Sequence, residues 1–336
     1  MMQCKGSDRM NGRLEKELEA SSKIKKKLAS LPDIFTEYYY YLEAEGKSYS
    51  TLMNYINHNI DFMKFVSSGE PNDDFYKNVK PSDVNRYMSS IRHKEVRGKI
   101  IRTGDEIRAA RWTSLNAFFE FLKNNDDVII VENPLDKTNR PKIKTEHEVT
   151  YLTKNEINKV LDEIRLKSTE QKRSRDLCLV SLALSTGLRV SAITQINIED
   201  VDFENNTIKV VEKGNKTRFI SFGNNLSALI WQCIEDRNKY FPGAETNALF
   251  LSQWKRRMTT QAVRDLVAKY TYVISNKHIT PHKLRASAAT NLAASGVSIQ
   301  AIAKVLGHEN IQTTKRYVEV LESETTQATN ILDDLI

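Results

Sequence analysis

The chain has 336 residues, 40% of them hydrophobic, with 50 Lys and Arg against 43 Asp and Glu and a formal net charge of +7. That length and apolar content support a full core and suggest two domains rather than one. The longest apolar runs, such as CLVSLALSTGL from Cys178, fall short of the roughly 20 residues that span a bilayer, and no signal-like apolar stretch opens the chain, so a cytoplasmic protein with no membrane partner is expected.

Cys4, Cys178 and Cys233 stand far apart, with no CxxC and no paired histidines, so neither a disulfide framework nor a zinc site is supported. The charge is unevenly spread. Residues 1–30 carry eight Lys and Arg against four Asp and Glu, whereas 318–336 carry five acidic residues and no basic one. The body is therefore more basic than the whole, which suits a polyanionic partner.

Residues 1–30 form a polar, partly helical basic lead-in, densest at KIKKK (23–27), and a solvated arm is expected there. From Leu31 the pattern turns helical. DIFTEYYYYLEAEG stops at Gly46, and the next segment repeats apolar residues at Leu52, Tyr55, Ile56, Ile60, Met63 and Val66. Pro81 starts a third helix, and a fourth follows Gly104 with Ile107, Trp112, Leu115, Phe118, Phe119 and Leu122 as its buried stripe. Residues 31–132 thus read as a small all-helical domain. Its cations concentrate in RHKEVRGKIIRTGDEIRAAR (92–111), which taken alone is a solvated face.

A Pro- and Lys-containing connector at 133–148 marks the domain boundary. Thr153 then caps a helix, with Glu156 completing a capping box. Two β-favouring runs, 207–211 and 217–222, flank EKGNK and read as a hairpin, and helices resume from Leu226, Thr260 and Pro281. The fold class is mainly α with a small β-hairpin or sheet.

GKSYST (46–51) is not a phosphate loop, because Tyr41 stands where the upstream glycine belongs and no apolar strand leads in. No acidic pair suggests a two-metal nuclease and no His pair a zinc hydrolase, so neither metal nor cofactor is expected. SIQAIAKVLGHENIQTTKRYVEV (298–320) does have the shape of a helix-turn-helix, and by itself would fit a DNA-binding regulator without catalysis.

Four further residues fall outside that reading. Arg189 ends an apolar helix, Lys213 sits in the hairpin tip, and His282 and Arg285 lie three apart just after Pro281. Singly, each has a plain explanation: an internal ion pair, a solvated turn residue, a helix cap. Together they are the groups that metal-free cleavage of a DNA phosphodiester requires. Two guanidiniums stabilise the extra negative charge on the non-bridging oxygens in the transition state. A lysine can protonate the leaving 5′ oxygen, an attacking tyrosine must lose its proton, and imidazoles fit proton transfer or orientation.

In TGLRVSAI (Arg189), EKGNK (Lys213), HKLR (His282, Arg285) and LGHENIQTTKRY (His308, Tyr317), in that order and with nine residues from His308 to Tyr317, the chain resembles the tyrosine recombinases, the phage and transposon integrase family. The resemblance covers 150–320 strongly and the helical domain, around KSYSTLMNY, more loosely. It implies a SAM-like core-binding domain and a catalytic domain at 149–320 that close on duplex DNA as a clamp.

It further implies that Tyr317 attacks the scissile phosphate to give a 3′-phosphotyrosyl link and a free 5′ hydroxyl, without ATP. Arg189, Arg285 and His308 would hold the phosphate, Lys213 would protonate the leaving oxygen in preference to Lys216, and His282 would act as acid or base near the nucleophile. Ala192 departs from the pattern, since family members commonly carry an acidic residue there, in TGLRxSE. The basic run 92–111 becomes a DNA-facing surface, with Thr51, Arg108 and Arg111 as candidate contacts. In the tail at 321–336, Ile331, Leu332, Leu335 and Ile336 form a stripe expected to dock on a neighbouring protomer of a homotetramer on two DNA sites. The expected duty is integration or excision of a mobile element, with an excisionase and a host DNA-bending protein as possible partners. The alternatives are a chromosome- or plasmid-resolution recombinase and a catalytically silent DNA-binding protein.

Overall fold

The computed structural model describes residues 7–67, 74–96, 98–125, 130–143, 149–212 and 216–319. Lys213 and the tail stripe lie outside them. The chain divides into two compact units, Met1–Glu146 and His147–Ile336.

The first unit holds α1 (Ser7–Leu28), α2 (Asp33–Ala44), α3 (Tyr49–Val66), α4 (Pro81–Ser90), a two-stranded ribbon of β1 (His93–Val96) and β2 (Lys99–Arg102), and α5 (Asp105–Lys123). Its core is aromatic. Phe35 of α2 stacks on Phe118 of α5 at 5.5 Å between centroids, and Tyr38 meets Phe118 edge-on at 5.0 Å. Burying each such ring contributes about 1.5–3 kcal/mol. Polar contacts tie α3 to α5 beside it, since His58 Nδ1 lies 2.8 Å from Ser114 Oγ and Asn59 Nδ2 donates to the Ser114 carbonyl, although the Tyr38 hydroxyl and Asn59 Oδ1 are buried without a partner.

Three features differ from the sequence expectation. The basic lead-in is not simply a solvated arm, because Ile24 and Leu28 at the end of α1 are buried in this core. The connector begins later than 133, since Leu135 packs in the same core and Asn133 caps a short 3-10 turn, Pro134–Lys137. The basic run also contains β1 and β2, paired from His93↔Arg102 to Val96↔Lys99 around a turn in which Gly98 has φ +74°. Every residue of β2 is exposed, Ile100 by 78%.

The second unit contains α6 (Lys154–Lys167), α7 (Glu170–Thr186), the short α8 (Val190–Ile193), a sheet of β3 (Val201–Asp202), β4 (Thr207–Val211) and β5 (Thr217–Ser221), then α9 (Asn224–Tyr240), α10 (Thr260–Thr271), α11 (Pro281–Ala294) and α12 (Ile299–Leu306). A further helical run covers 312–319. Thr153 and Glu156 form the capping box of α6. The hairpin stands at 207–221, antiparallel with Val210 opposite Arg218, and β3 adds a third strand through Val201↔Ile208. Cys178 and Cys233 are free and buried in the core.

Helix α11 runs through the middle of this unit. All residues from Leu284 to Thr290 are buried, and small side chains at Ala286, Ser287, Ala288 and Ala289 let neighbouring backbones come close. A helix with no polar face has to be enclosed, and α7 and α12 both pack on it. Among the described residues, no helix is long and apolar enough to cross a membrane, and no cluster of His, Cys, Asp or Glu is fit to hold a metal.

Candidate active site

Three helix ends meet around α11. Helix α7 stops at Gly187, which has φ +60°, and two residues later Arg189 is the N-cap of α8. Thr280 caps α11 through the backbone N–H of Lys283 and Pro281 takes its first position, which places His282 and Arg285 three apart on one side. Helix α12 ends at Gly307, φ +67°, and the backbone N–H of His308 returns to the Ala303 carbonyl at 2.9 Å, the long bond of a Schellman close.

Arg285 is 3% exposed and still satisfied, because its Nη1 donates to the Gly187 carbonyl at 2.7 Å and its Nη2 to that of Leu306 at 2.8 Å. Both acceptors close helices, where carbonyls lack intrahelical partners and the helix dipole is negative. Burial, and next the Arg189 charge, bring Arg285 down to about 10, which leaves it cationic at neutral pH. A guanidinium carries five N–H donors, so these two bonds do not exhaust it.

Arg218 does the same for the preceding turn. From β5 it donates to the carbonyls of Lys304 at 2.8 Å and Val305 at 3.0 Å. Glu212, the last described residue before the hairpin tip, stands between two cations, with Oε1 3.4 Å from Arg189 Nη1 and 3.8 Å from Arg218 Nη2.

Tyr317 is 1% exposed, packed on Ala286, Ala289, Ile302 and Leu306. Its hydroxyl accepts a hydrogen bond from Arg316 Nη2 at 2.9 Å, and the same guanidinium lies 4.9 Å from its ring centroid. Arg316 also donates toward His282 Nε2 at 3.4 Å. His308 shares a 2.6 Å hydrogen bond through Nδ1 with the buried Thr314 hydroxyl, and its ring stacks near Tyr317 at 6.5 Å. Burial, then the charges of Arg285 and Arg189, push His308 down to about 4, while burial, then Arg316, lowers His282. Both imidazoles are therefore neutral at pH 7.

The structure brings together Arg189, His282, Arg285, His308 and Tyr317. Lys216 is exposed and pairs with Glu309. The helix-turn-helix-like pair is present as α12 and the run 312–319, but the second helix buries Thr314 and Tyr317. Arg218, Glu212 and Arg316 were not foreseen. Arg218 alone left a trace, as a cation on the inward side of an alternating strand, two residues from Ile220.

In the helical unit, Thr51 bonds to Ser48 at the start of α3. Arg108 holds Asp105 at 3.1 Å, and Arg111 holds Asp61 at 2.8 Å and the Tyr87 hydroxyl at 2.6 Å. Arg92, Lys94 and Lys99 present more open cations.

Forked cations, two neutral imidazoles and a phenol gathered around α11 suit an anion with several oxygens. Residues 150–324 match the family model described as the phage integrase family. The chain belongs to this family. The chain is similar to tyrosine recombinase XerC of Caldanaerobacter subterraneus, 30% identical over 322 residues that cover 89% of this chain and 86% of that one. Tyrosine recombinase XerC of Leptospira interrogans is 29% identical over 293 residues, 87% and 90% of the two chains. The activity is that of a site-specific tyrosine recombinase. Two solved structures share the fold: the XerH recombinase in a post-cleavage complex with its difH substrate (TM-score 0.67, 19% identity, covering 86% of this chain and 82% of that one) and the Tn1549 transposon integrase with a circular intermediate DNA (0.64, 22%, 89% and 100%).

Proposed function

We propose that this integrase-family protein cuts and rejoins double-stranded DNA through a 3′-phosphotyrosyl intermediate, with Tyr317 as the nucleophile and neither metal nor ATP. The observation that carries the reading is the gathering of Arg189, Arg285, His282 and His308 around Tyr317. Arg189 and Arg285 bind the non-bridging oxygens, with His308 as the third phosphate ligand. As the Tyr317 oxygen bonds to phosphorus, the bond to the 5′ oxygen breaks. The phenolic proton passes to His282, and Lys213 supplies a proton to the departing oxygen. A neutral His282 suits acceptance, and the phosphate linkage conserves the energy needed for rejoining.

In the resting state the phenol is covered and held by Arg316. Attack therefore requires DNA to free the hydroxyl, with the phosphate taking over the Arg316 contact. The basic run 92–111 together with Thr51 forms the DNA surface of the helical unit. At Arg108 and Arg111 a phosphate would compete with Asp105 and Asp61. Both units bind DNA, and four protomers act on two sites through the 321–336 tail, aided by an excisionase or a DNA-bending protein.

The test is incubation with nicked DNA from the cognate site, without metal or ATP, followed by a denaturing gel. A covalent adduct that vanishes in Tyr317→Phe establishes the nucleophile. A salt-sensitive complex with no adduct on a verified site would instead favour a silent DNA-binding protein. For the biological duty, integration or excision of a mobile element is one reading. Resolution of chromosome or plasmid dimers is favoured by the near-full-length likeness to proteins named XerC. Adduct formation on the element's ends or on a chromosomal resolution site separates the two.

A further inference from the structure

Ala192 occupies the position where a carboxylate three residues after Arg189 would be expected, and it is buried. A carboxylate instead reaches Arg189 from the hairpin. The Glu212 side chain is only 10% exposed, while that of Arg189 is 42% exposed and open to a ligand. Its Oε1 lies 3.4 Å from Arg189 Nη1 and 3.8 Å from Arg218 Nη2. The hairpin fixes its backbone and the end of α12 lies against its carboxylate. The Glu212 N–H closes the hairpin ladder on the Lys216 carbonyl at 2.9 Å, and Gly307 lies so near that a Cβ there would stand 2.7 Å from Glu212 Oε2.

We infer that Glu212 is the positioning residue for Arg189, doing from the hairpin what a carboxylate at position 192 would do from α8. Resting on the reading of Arg189 as a phosphate ligand, the inference adds a residue that fixes its orientation. A single contact engages one N–H and leaves the others for phosphate oxygens. Glu212 has a second task through Arg218, which caps the α12 turn just before His308. One carboxylate thus couples the strand that leads into Lys213, the first arginine and the helix end that carries His308.

The experiment compares the full chain with Glu212→Gln, which keeps shape and removes charge, in single-turnover cleavage of a nicked cognate substrate. DNA affinity and melting temperature are measured alongside. Loss of an orienting carboxylate is expected to slow cleavage by about 10–100-fold, the range for groups that act through another residue. A second substrate carries a methylphosphonate at the scissile position, where neutralising one oxygen removes much of the demand on Arg189. There the deficit should shrink to within a few-fold, and adding Ala192→Glu to Glu212→Gln should recover cleavage of the ordinary phosphate. If Glu212→Gln melts well below the parent, Glu212→Asp takes its place and should cleave faster than the Gln variant. Equal cleavage by parent and Gln variant, or an equal deficit on both substrates, overturns the inference. Arg189→Ala separates the two levels: if it cleaves like the parent, the reading of Arg189 fails, whereas a slow Arg189→Ala beside a fully active Glu212→Gln removes only the role of Glu212.

Discussion

Replacing Gly187 by Ala tests whether the junction of α7, α11 and α12 is as tight as its geometry indicates. Gly187 has φ +60°, and a left-handed conformation costs a non-glycine residue about 1–2 kcal/mol. An added Cβ would also stand 2.5 Å from Leu306 Cδ2 and 3.6 Å from Ala288 Cβ. Leu306 is fully buried in a cluster with Ile302 and Tyr317, so its methyl must shift among packed neighbours, and overpacking adds about 1–3 kcal/mol. Gly296→Ala is the matched control: its φ is +78°, yet nothing lies within 4 Å of the new Cβ. The difference between the variants isolates the steric part, and for a unit of this size it should lower the melting temperature of Gly187→Ala about 2–12 °C below that of Gly296→Ala. Cleavage should fall as well in Gly187→Ala, because Arg285 is anchored on the carbonyls of Gly187 and Leu306. Equal melting of the two variants by thermal scan would refute the packing argument.

His308 is neutral in the native protein and held down to about 4, so the unfolded chain binds more protons between that value and the ordinary histidine range. Stability from this group is complete above pH ~6.5 and is lost as pH falls toward ~4. Thermal scans from pH 7 to 4.5 should show the parent losing more stability than His308→Asn, and parallel curves would contradict the assignment. On the exposed ribbon, Lys94→Ala with Lys99→Ala should flatten the salt dependence of DNA binding, by about 0.9 in the log–log slope for each phosphate that is no longer neutralised. An unchanged slope in a binding titration removes the ribbon from the DNA surface.

What could be read in advance follows from where burial is one-sided. The β-favouring runs 207–211 and 217–222 around EKGNK announced the hairpin, and Thr153 and Pro281 announced their helices through capping chemistry. The β1–β2 ribbon gave no such signal. With both faces in solvent, nothing selects apolar residues at alternate positions, and its charges read as a solvated run. The buried end of α1 was hidden for the opposite reason, since two apolar residues, Ile24 and Leu28, sit among many lysines. In the site, residues that bear reactive groups were visible as types in order along the chain. Arg218, Arg316 and Glu212 were not, because their partners are carbonyls, a neighbouring phenol and cations brought near only by folding.

The hydrogen bonds that Arg285 and Arg218 donate to the ends of α7 and α12 all go to main-chain oxygens, at Gly187, Lys304, Val305 and Leu306. Every amino acid carries that oxygen. The outward side chains of Lys304 and Val305 are exposed, so they can change identity while both guanidiniums stay anchored beneath. A surface free to diversify over a fixed reactive centre lets such a chain acquire new neighbours without rebuilding its chemistry.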